Sequence, residues 1–266
     1  MSLFPFRITR TSKPPMGTPI DWSNPLTQGL VGAWAFNEGG GTSAYNLVSG
    51  KTNLLNGAVV YKNSEVSFPG AATDNIILDT TAKVVNFTFI TECTRSTDTL
   101  TYGPQMVQEA FTIGTGMFEF NMGNGYGAAE DIDKPRIAVI SGGGSVTGFL
   151  NGKQMATCNP FPLAAVNGNY DTYAGVVTGA TPSDQVFRIG TANATYALKG
   201  SIKWFLLYNR ALSPSEIASL SANPWQIYEP EIKWITLEEA IAAGLIFTRQ
   251  GSNFVRGQMN GSFRGL

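Results

Sequence analysis

The sequence predicts an all-β protein in which two antiparallel sheets pack face to face as a sandwich. Three observations carry that expectation. Short apolar runs with a period of two recur and are broken by turn residues, as in Val84-Val-Asn-Phe-Thr-Phe-Ile-Thr91 and Met117-Phe-Glu-Phe-Asn-Met122. An Asn151-Gly152 pair stands between Gly148-Phe-Leu150 and Lys153-Gln-Met-Ala156, and that dipeptide favours the left-handed backbone of a two-residue hairpin turn. Glycine is abundant (30 of 266 residues) and only 14% of residues are charged, which argues against long surface helices. About ten or more short strands at this spacing, with little helical periodicity, indicate a sandwich rather than alternating βα units.

Residues 1 to about 27 hold Pro5, Pro14, Pro15, Pro19 and Pro25. Proline removes amide donors and drives its neighbours toward extended backbone, so this stretch is read as an extended N-terminal arm and not as a central strand or helix. Phe4, Phe6 and Trp22 give it apolar handles, so the arm is expected either to dock on a partner or to fray. Residues 28–222 form the expected sandwich, through runs such as Leu30–Phe36, Asn75–Leu78, Arg136–Ile140, Tyr173–Val177, Val186–Ile189 and Ser201–Tyr208. Trp34 and Trp204 lie in alternating runs and are expected in the core. At the end of this zone Ser213 can cap a helix, Pro214 suits its first position, and Glu216 completes a capping box.

Residues 223–266 read as a C-terminal extension. A second short helix is expected over Leu237–Ala243, capped by Thr236 and stopped by Gly244. Beyond it phenylalanine and arginine recur together at Phe247/Arg249 and Phe254/Arg256, a composition common at protein interfaces. With Phe4, Phe6, Trp22 and Trp225, these four residues are the expected partner-docking set.

The composition also removes whole classes of chemistry. The chain has no histidine, which excludes Ser-His-Asp and Cys-His catalysis and imidazole-ligated zinc. A net charge of −1 provides no basic field for nucleic acid. Cys93 and Cys158 are too few for a structural zinc site; they either pair or are two buried thiols, with the thiol reading preferred. The start of the chain lacks the pattern of a secretion signal, and no window approaches the ~18 apolar residues of a membrane span, so no membrane partner is expected. Asp131 and Asp133 in Glu130-Asp-Ile-Asp133 would share a strand face at about 6.6 Å, but the flanking Gly and Pro point to a loop rim rather than a catalytic pair. Gly142-Gly-Gly144 leads into a hairpin and lacks the lysine of a phosphate loop, so a turn explains it. Tyrosines in loops can stack on sugar rings, and Tyr45, Tyr126 and Tyr170 with Asp131 and Asp133 are the candidate carbohydrate-binding residues.

Three blocks of the sequence then resemble a known family. Gly29-Leu-Val-Gly-Ala-Trp-Ala-Phe-Asn-Glu-Gly-Gly-Gly41 with Asn56-Gly57, the hairpin Phe149-Leu-Asn-Gly-Lys153, and Gly200-Ser-Ile-Lys-Trp-Phe-Leu-Leu-Tyr208 followed by Asn-Arg-Ala-Leu-Ser-Pro-Ser-Glu-Ile217 are similar to laminin-G-like, concanavalin A-like domains. The resemblance covers roughly residues 29–222 and implies a jelly-roll sandwich. It departs where the family usually carries acidic residues. Lys203 and Trp204 stand where the closing strand has an Asp-Glu pair, Asn37-Glu38 replaces the opening Asp-Glu, and Asn46 replaces the aspartate of an Ala-x-Asp pair. A rim calcium site is therefore doubtful and no cofactor is expected, since a hard cation needs six to eight oxygens with sufficient negative charge. Asn223-Pro-Trp-Gln-Ile-Tyr-Glu-Pro230 is similar to a tail that follows such domains in bacteriophage-encoded proteins.

The resemblance implies a non-enzymatic virion structural protein, a capsid decoration, head-fibre or tail component that docks on other virion proteins through its terminal arms. It would act as a homo-oligomer, and a trimer would suit the threefold positions such proteins occupy. The alternatives are a carbohydrate-binding adhesin module that recognises cell-surface glycans and, as a further class, a glycoside hydrolase of the same fold.

Overall fold

The computed structural model describes residues 3–71, 73–81, 86–95, 105–108, 117–121, 136–140, 145–154, 161–162, 171–179, 186–193, 196–197, 199–236 and 239. In chain order its strands begin with β1 (Leu3–Ile8), β2 (Leu30–Trp34), β3 (Ser43–Tyr45), β4 (Thr52–Asn56), β5 (Val60–Lys62), β6 (Glu65–Pro69) and β7 (Asn75–Thr81). They continue with β8 (Phe87–Arg95), β9 (Gln105–Gln108), β10 (Met117–Asn121), β11 (Arg136–Ile140), β12 (Ser145–Leu150), β13 (Lys153–Gln154) and β14 (Phe161–Pro162). The last are β15 (Asp171–Thr178), β16 (Val186–Ile189), β17 (Thr191–Asn193), β18 (Tyr196–Ala197), β19 (Lys199–Tyr208) and β20 (Glu231–Thr236). Helix α1 (Pro214–Ala222) follows β19. The protein is thus an all-β, two-sheet antiparallel sandwich, as the sequence predicts. Among the described residues no helix is long and apolar enough to cross a membrane.

Contacts divide the chain into two compact units, Thr11–Glu229 and a second made of the two terminal segments. Within Thr11–Glu229 one sheet runs β14-β11-β10-β9-β16-β7-β4-β3, and the other runs β13-β12-β15-β8-β19-β6-β5 with β2 also paired to β19. The Asn151-Gly152 turn joins β12 to β13, with Leu150 opposite Lys153, and both residues take the positive φ that the dipeptide favours (49° and 77°).

The second of these sheets is buried on both faces along its central strands. Toward the first sheet it presents Trp34, Phe36, Phe68, Phe89, Phe205 and Leu207, which join Leu55, Ile76 and Leu78 in the inter-sheet core. Its other face presents Ala33, Ile90, Phe149, Trp204, Leu206 and Tyr208 to a cover formed by Ile20, Ile217, Leu220, Ile227 and Tyr228. The strand β19 serves both cores because its alternation is shifted once. Ile202 pairs with Cys93 and Trp204 with Glu92, so Lys203 is an extra residue, a β-bulge. Before it the even-numbered Ile202 faces the inter-sheet core; after it the odd-numbered Phe205 and Leu207 do, while Trp204, Leu206 and Tyr208 turn outward.

The cover depends on local signals that the sequence displays. Ser213 caps α1 and Glu216 bonds back to the Ser213 amide at 2.8 Å, the reciprocal capping box, with Pro214 in the first turn. Arg210 clamps Glu216 through two nitrogens at 2.6 and 3.0 Å. Trp34 and Trp204 are buried as expected, at 0% and 1% exposure.

The unit boundaries differ from those expected from the sequence. Residues 11–27 and 223–229 belong to the sandwich unit, because Ile20 and Tyr228 form an antiparallel bridge and are both buried in the second core. The Asp21 amide donates to Ile227 O at 2.8 Å and the Glu229 amide to Pro19 O at 3.0 Å. The proline-rich arm therefore becomes a covering strap, for which missing amide donors cost little. In the other unit β1 pairs antiparallel with β20, from Leu3 opposite Thr236 to Ile8 opposite Glu231. Pro5 is tolerated there because a strand of a two-stranded ribbon has an edge that needs no donor. Thr236 and Glu239 exchange the hydrogen bonds of a capping box, at 3.2 and 2.7 Å, where the second helix was expected to start. Residues 237, 238 and 240–243 of that helix, and its stop at Gly244, lie outside the described residues.

Two outcomes follow from this packing. Gly175 lies opposite Phe89, and a methyl group there would sit 2.4 Å from the Phe89 ring. Gly175→Ala should cost about 1–3 kcal/mol in urea unfolding, whereas Gly40→Ala, with open space around its Cβ, should stay within about 0.5 kcal/mol. The Arg210 hydrogen bonds, assisted by Ser213 and opposed by partial burial, bring the Glu216 carboxyl from 4.5 to about 2. A depressed carboxyl stabilises above its unfolded value and loses that contribution as pH falls. Glu216→Gln should therefore flatten the fall in Tm between pH 4.5 and 2, by about 1 kcal/mol once solvent screening is counted.

Candidate functional site

Tyr45 is the candidate sugar-binding residue that falls among the described residues, and its surroundings define a polar rim. It lies on β3, the edge strand of its sheet, facing outward, at 40% exposure, while its neighbour Ala44 is fully buried. Three hydrogen bonds hold this edge. The Tyr45 amide donates to Glu38 Oε1 at 2.7 Å, and the Tyr61 hydroxyl of β5 donates to Ser43 O at 2.8 Å. Burial, with Glu38 beside it, pushes the Tyr61 hydroxyl above the ordinary tyrosine range, so it remains a donor. The third comes from the turn after β3, where the Gly50 amide donates to Asn46 O at 2.9 Å.

Asn46 shapes that turn from below. It is fully buried, and its Oδ1 accepts the amides of Ala33 (3.2 Å) and Val48 (3.0 Å) while its Nδ2 donates to Asp79 Oδ1 at 2.9 Å. Asp79, near the end of β7, also accepts from the Ser49 hydroxyl at 2.5 Å. Partial burial pushes the Asp79 carboxyl up, but donation from Ser49, Asn46, its own backbone and Asn53 outweighs this and holds it below the usual range. A methyl at Gly50 would lie 3.5 Å from the Tyr45 hydroxyl, so the turn meets the tip of that side chain. The rim thus combines an exposed aromatic ring, an ionised carboxylate, and the exposed Ser49, Lys51 and Thr52. Exposed Leu54 and Ile77 (62% and 40%) continue it across the outward face of β4 and β7.

The other expected residues are distributed differently. Tyr126, Asp131, Asp133, Tyr170, Phe247, Arg249, Phe254 and Arg256 lie outside the described residues, as does Cys158; Cys93 is fully buried. Phe4 and Phe6 are on β1. Trp22 stands 59% exposed on the strap. Trp225 is half-buried within its own unit, edge-on to Trp204 at 6.4 Å and tilted against Tyr228 at 6.1 Å. Its ring is committed to the second core. Just before β8, Asn86 Oδ1 accepts the Gly179 amide at 3.1 Å, and the buried Thr88 donates to Arg210 O at 2.8 Å.

Sequence reasoning missed Asp79, whose role depends on Asn46 some 33 residues away, and it missed Lys13. The Lys13 ammonium donates to Phe36 O at 3.3 Å, to Lys203 O at 2.8 Å and to Ser64 O. It also lies 5.8 Å from the centre of the Trp225 ring. Burial pushes it down to about 8, against the pull of Glu38, Glu65 and Glu92 and with the repulsion of Lys203. Across the bulge, Lys203 Nζ meets Glu92 Oε1 at 2.5 Å, and Glu92 Oε2 accepts from Trp204 Nε1 at 3.0 Å. Among the described residues no group of three acidic or cysteine side chains is arranged to hold a metal.

No family model matches the chain, and no curated protein matches it. Among solved structures, it is similar to a sialidase of Trypanosoma rangeli in complex with 2,3-difluorosialic acid, at 14% identity and a TM-score of 0.51. That likeness covers 74% of this chain and 33% of the sialidase, so the chain spans about a third of the sialidase's length. The receptor-binding domain of a botulinum neurotoxin C/D mosaic is also matched, at 11% identity over 73% of this chain and 51% of the domain, with a TM-score of 0.39. At these identities the sialidase likeness shows a shared β fold and nothing of the chemistry.

Asn46→Ala should orphan the buried Ala33 and Val48 amides and withdraw a donor from Asp79. An expected loss of about 2 kcal/mol or more in chemical unfolding should accompany a rise in the Asp79 pKa, read by NMR titration.

Proposed function

We propose that the chain is a non-enzymatic, carbohydrate-recognising sandwich whose glycan platform is the rim around Tyr45. The observation that supports this most directly is the pairing of an exposed ring with fixed polar groups. Tyr45 offers a flat apolar face beside Asp79, Ser49 and Thr52, and sugars present an apolar face bordered by hydroxyl groups. Because Asn46 and Ser49 already orient Asp79, a ligand hydroxyl would meet an acceptor that needs no reorganisation. Binding suits this group better than catalysis, since a carboxyl held ionised by several donors is a poor general acid.

A second reading concerns where such a module works. The terminal segments pair with each other as β1 and β20 in a compact unit of their own, and Ile232 on β20 is 55% exposed. Together with the phage-like segment Asn223–Pro230, this favours a virion subunit that docks through its terminal ribbon and presents the sandwich outward. Other virion proteins would be the docking partners, and cell-surface glycans the ligands.

On a glycan array the full chain should bind a defined set of sugars, and Tyr45→Ala should weaken the best of them at least tenfold by calorimetry with Tm unchanged. Absence of binding across the array, with wild-type folding verified, would remove the carbohydrate reading. For the second reading, Ile232→Asp should reduce co-sedimentation of the protein with virions while leaving glycan affinity intact; undiminished co-sedimentation would count against ribbon docking.

A further inference from the structure

We propose that the Lys13 ammonium takes the place of a bound metal cation, so that the sandwich carries its own cation on the strap and is latched by it without calcium. The donor set around Lys13 is the kind that hard cations select, backbone carbonyl oxygens with carboxylates behind them. Phe36, Ser64 and Lys203 each direct a carbonyl oxygen at the same nitrogen from three separate stretches of chain. Glu38, Glu65 and Glu92 accompany those stretches and act on Lys13 electrostatically.

The backbone is shaped for this convergence. Phe36 takes a positive φ of 49°, a conformation that L-residues with side chains seldom adopt. The positive φ of Ser64 (58°), shared with Asn63 (54°), belongs instead to the two-residue hairpin turn between Lys62 and Glu65. An outlier such as Phe36 persists where the surroundings over-determine it, and Phe36 offers its carbonyl to the ammonium from that conformation, while the hairpin turn brings the Ser64 carbonyl to the same nitrogen. The third carbonyl belongs to Lys203, the extra residue of the bulge in β19. A further tie lies beside the latch, where Asn37 Nδ2 donates to Pro14 O at 2.8 Å.

A calcium ion, for which the missing acidic residues already leave too little negative charge, does not fit here while Lys13 is in place. Lys203 stands where an acidic residue is usual, and its ammonium pairs with Glu92. Glu92 is thus already paired with Lys203, and Glu38, Glu65 and Glu92 act electrostatically on the Lys13 ammonium. An added divalent cation would have to displace Lys13 from the carbonyls and meet the charge of Lys203. The disagreement with the family pattern is therefore one substitution by another. Loss of acidic residues from the closing strand is matched by a cation supplied from the strap, and the same ammonium ties residues 11–19 across the sandwich.

The test uses full-length protein and thermal melts in CaCl2, EDTA, methylammonium chloride or choline chloride at matched ionic strength, with hydrogen exchange of residues 11–19. Wild-type Tm should be the same in CaCl2 and EDTA. Lys13→Gly should lower Tm, remove exchange protection from residues 11–19, and recover part of both on addition of methylammonium or calcium but not choline. Lys13→Met keeps the apolar stem and loses the charge, and it should lose the same protection. A wild-type Tm that rises with calcium would overturn the proposal, as would a Lys13→Met protein with wild-type Tm and protection. A folded Lys13→Gly protein indifferent to both methylammonium and calcium would overturn it too. Should Lys13→Gly not fold, the Lys13→Met comparison and the wild-type calcium titration decide the matter.

Discussion

The burial of β19 on both faces is the constraint on which the rest of the sandwich unit depends. A strand alternates its side chains, so a strand packed on one side needs one apolar set and a strand packed on both needs two. The run Trp204-Phe-Leu-Leu-Tyr208 supplies both, and the bulge at Lys203 sets which residue goes where. Without that extra residue Ile202 and Phe205 could not serve the same core. Burying two such faces adds roughly 1.5–3 kcal/mol per large side chain removed from water, an amount that a one-sided sheet forgoes on half its residues.

The second face needs a cover, and that need explains the segments flanking the sandwich. Helix α1 and residues 224–229 lay Ile217, Leu220, Ile227 and Tyr228 on it, and the strap adds Ile20. The strap runs where it does because backbone pairing at Ile20 and Tyr228 and the Lys13 ammonium hold it at separate places. The bulge that divides the two cores also presents the carbonyl that receives Lys13. Packing and latch share one irregularity in one strand.

The proposed glycan rim sits on the other sheet, at the edge strand β3, where no cover is present among the described residues. Its exposed apolar residues would be costly if they were only filling. Tyr45, Leu54 and Ile77 share an outward face with an ionised carboxylate, and that mixture suits a polar ligand with an apolar face better than a dry protein interface.

Much of the fold was legible in the sequence because it rests on local chemistry. The Asn151-Gly152 turn, the Ser213–Glu216 capping box and the period-two runs each act within a few residues, and Trp34 and Trp204 follow from the alternation. The candidate site was legible only at Tyr45, whose ring is exposed by its place on an edge strand. Asp79 and Asn46 looked ordinary, since their meaning comes from meeting one another. Trp225 reads from the sequence as a docking residue, and only the tertiary structure shows that its ring also packs on Trp204 and Tyr228. By itself, then, the sequence determined an antiparallel sandwich without histidine chemistry, because residue type and short-range spacing are enough for both. Tertiary structure alone decided the course of the strap and the fate of Lys13. Its acceptors lie 23, 51 and 190 residues away, and contacts at such separations come from how the sheets close, which no local pattern encodes.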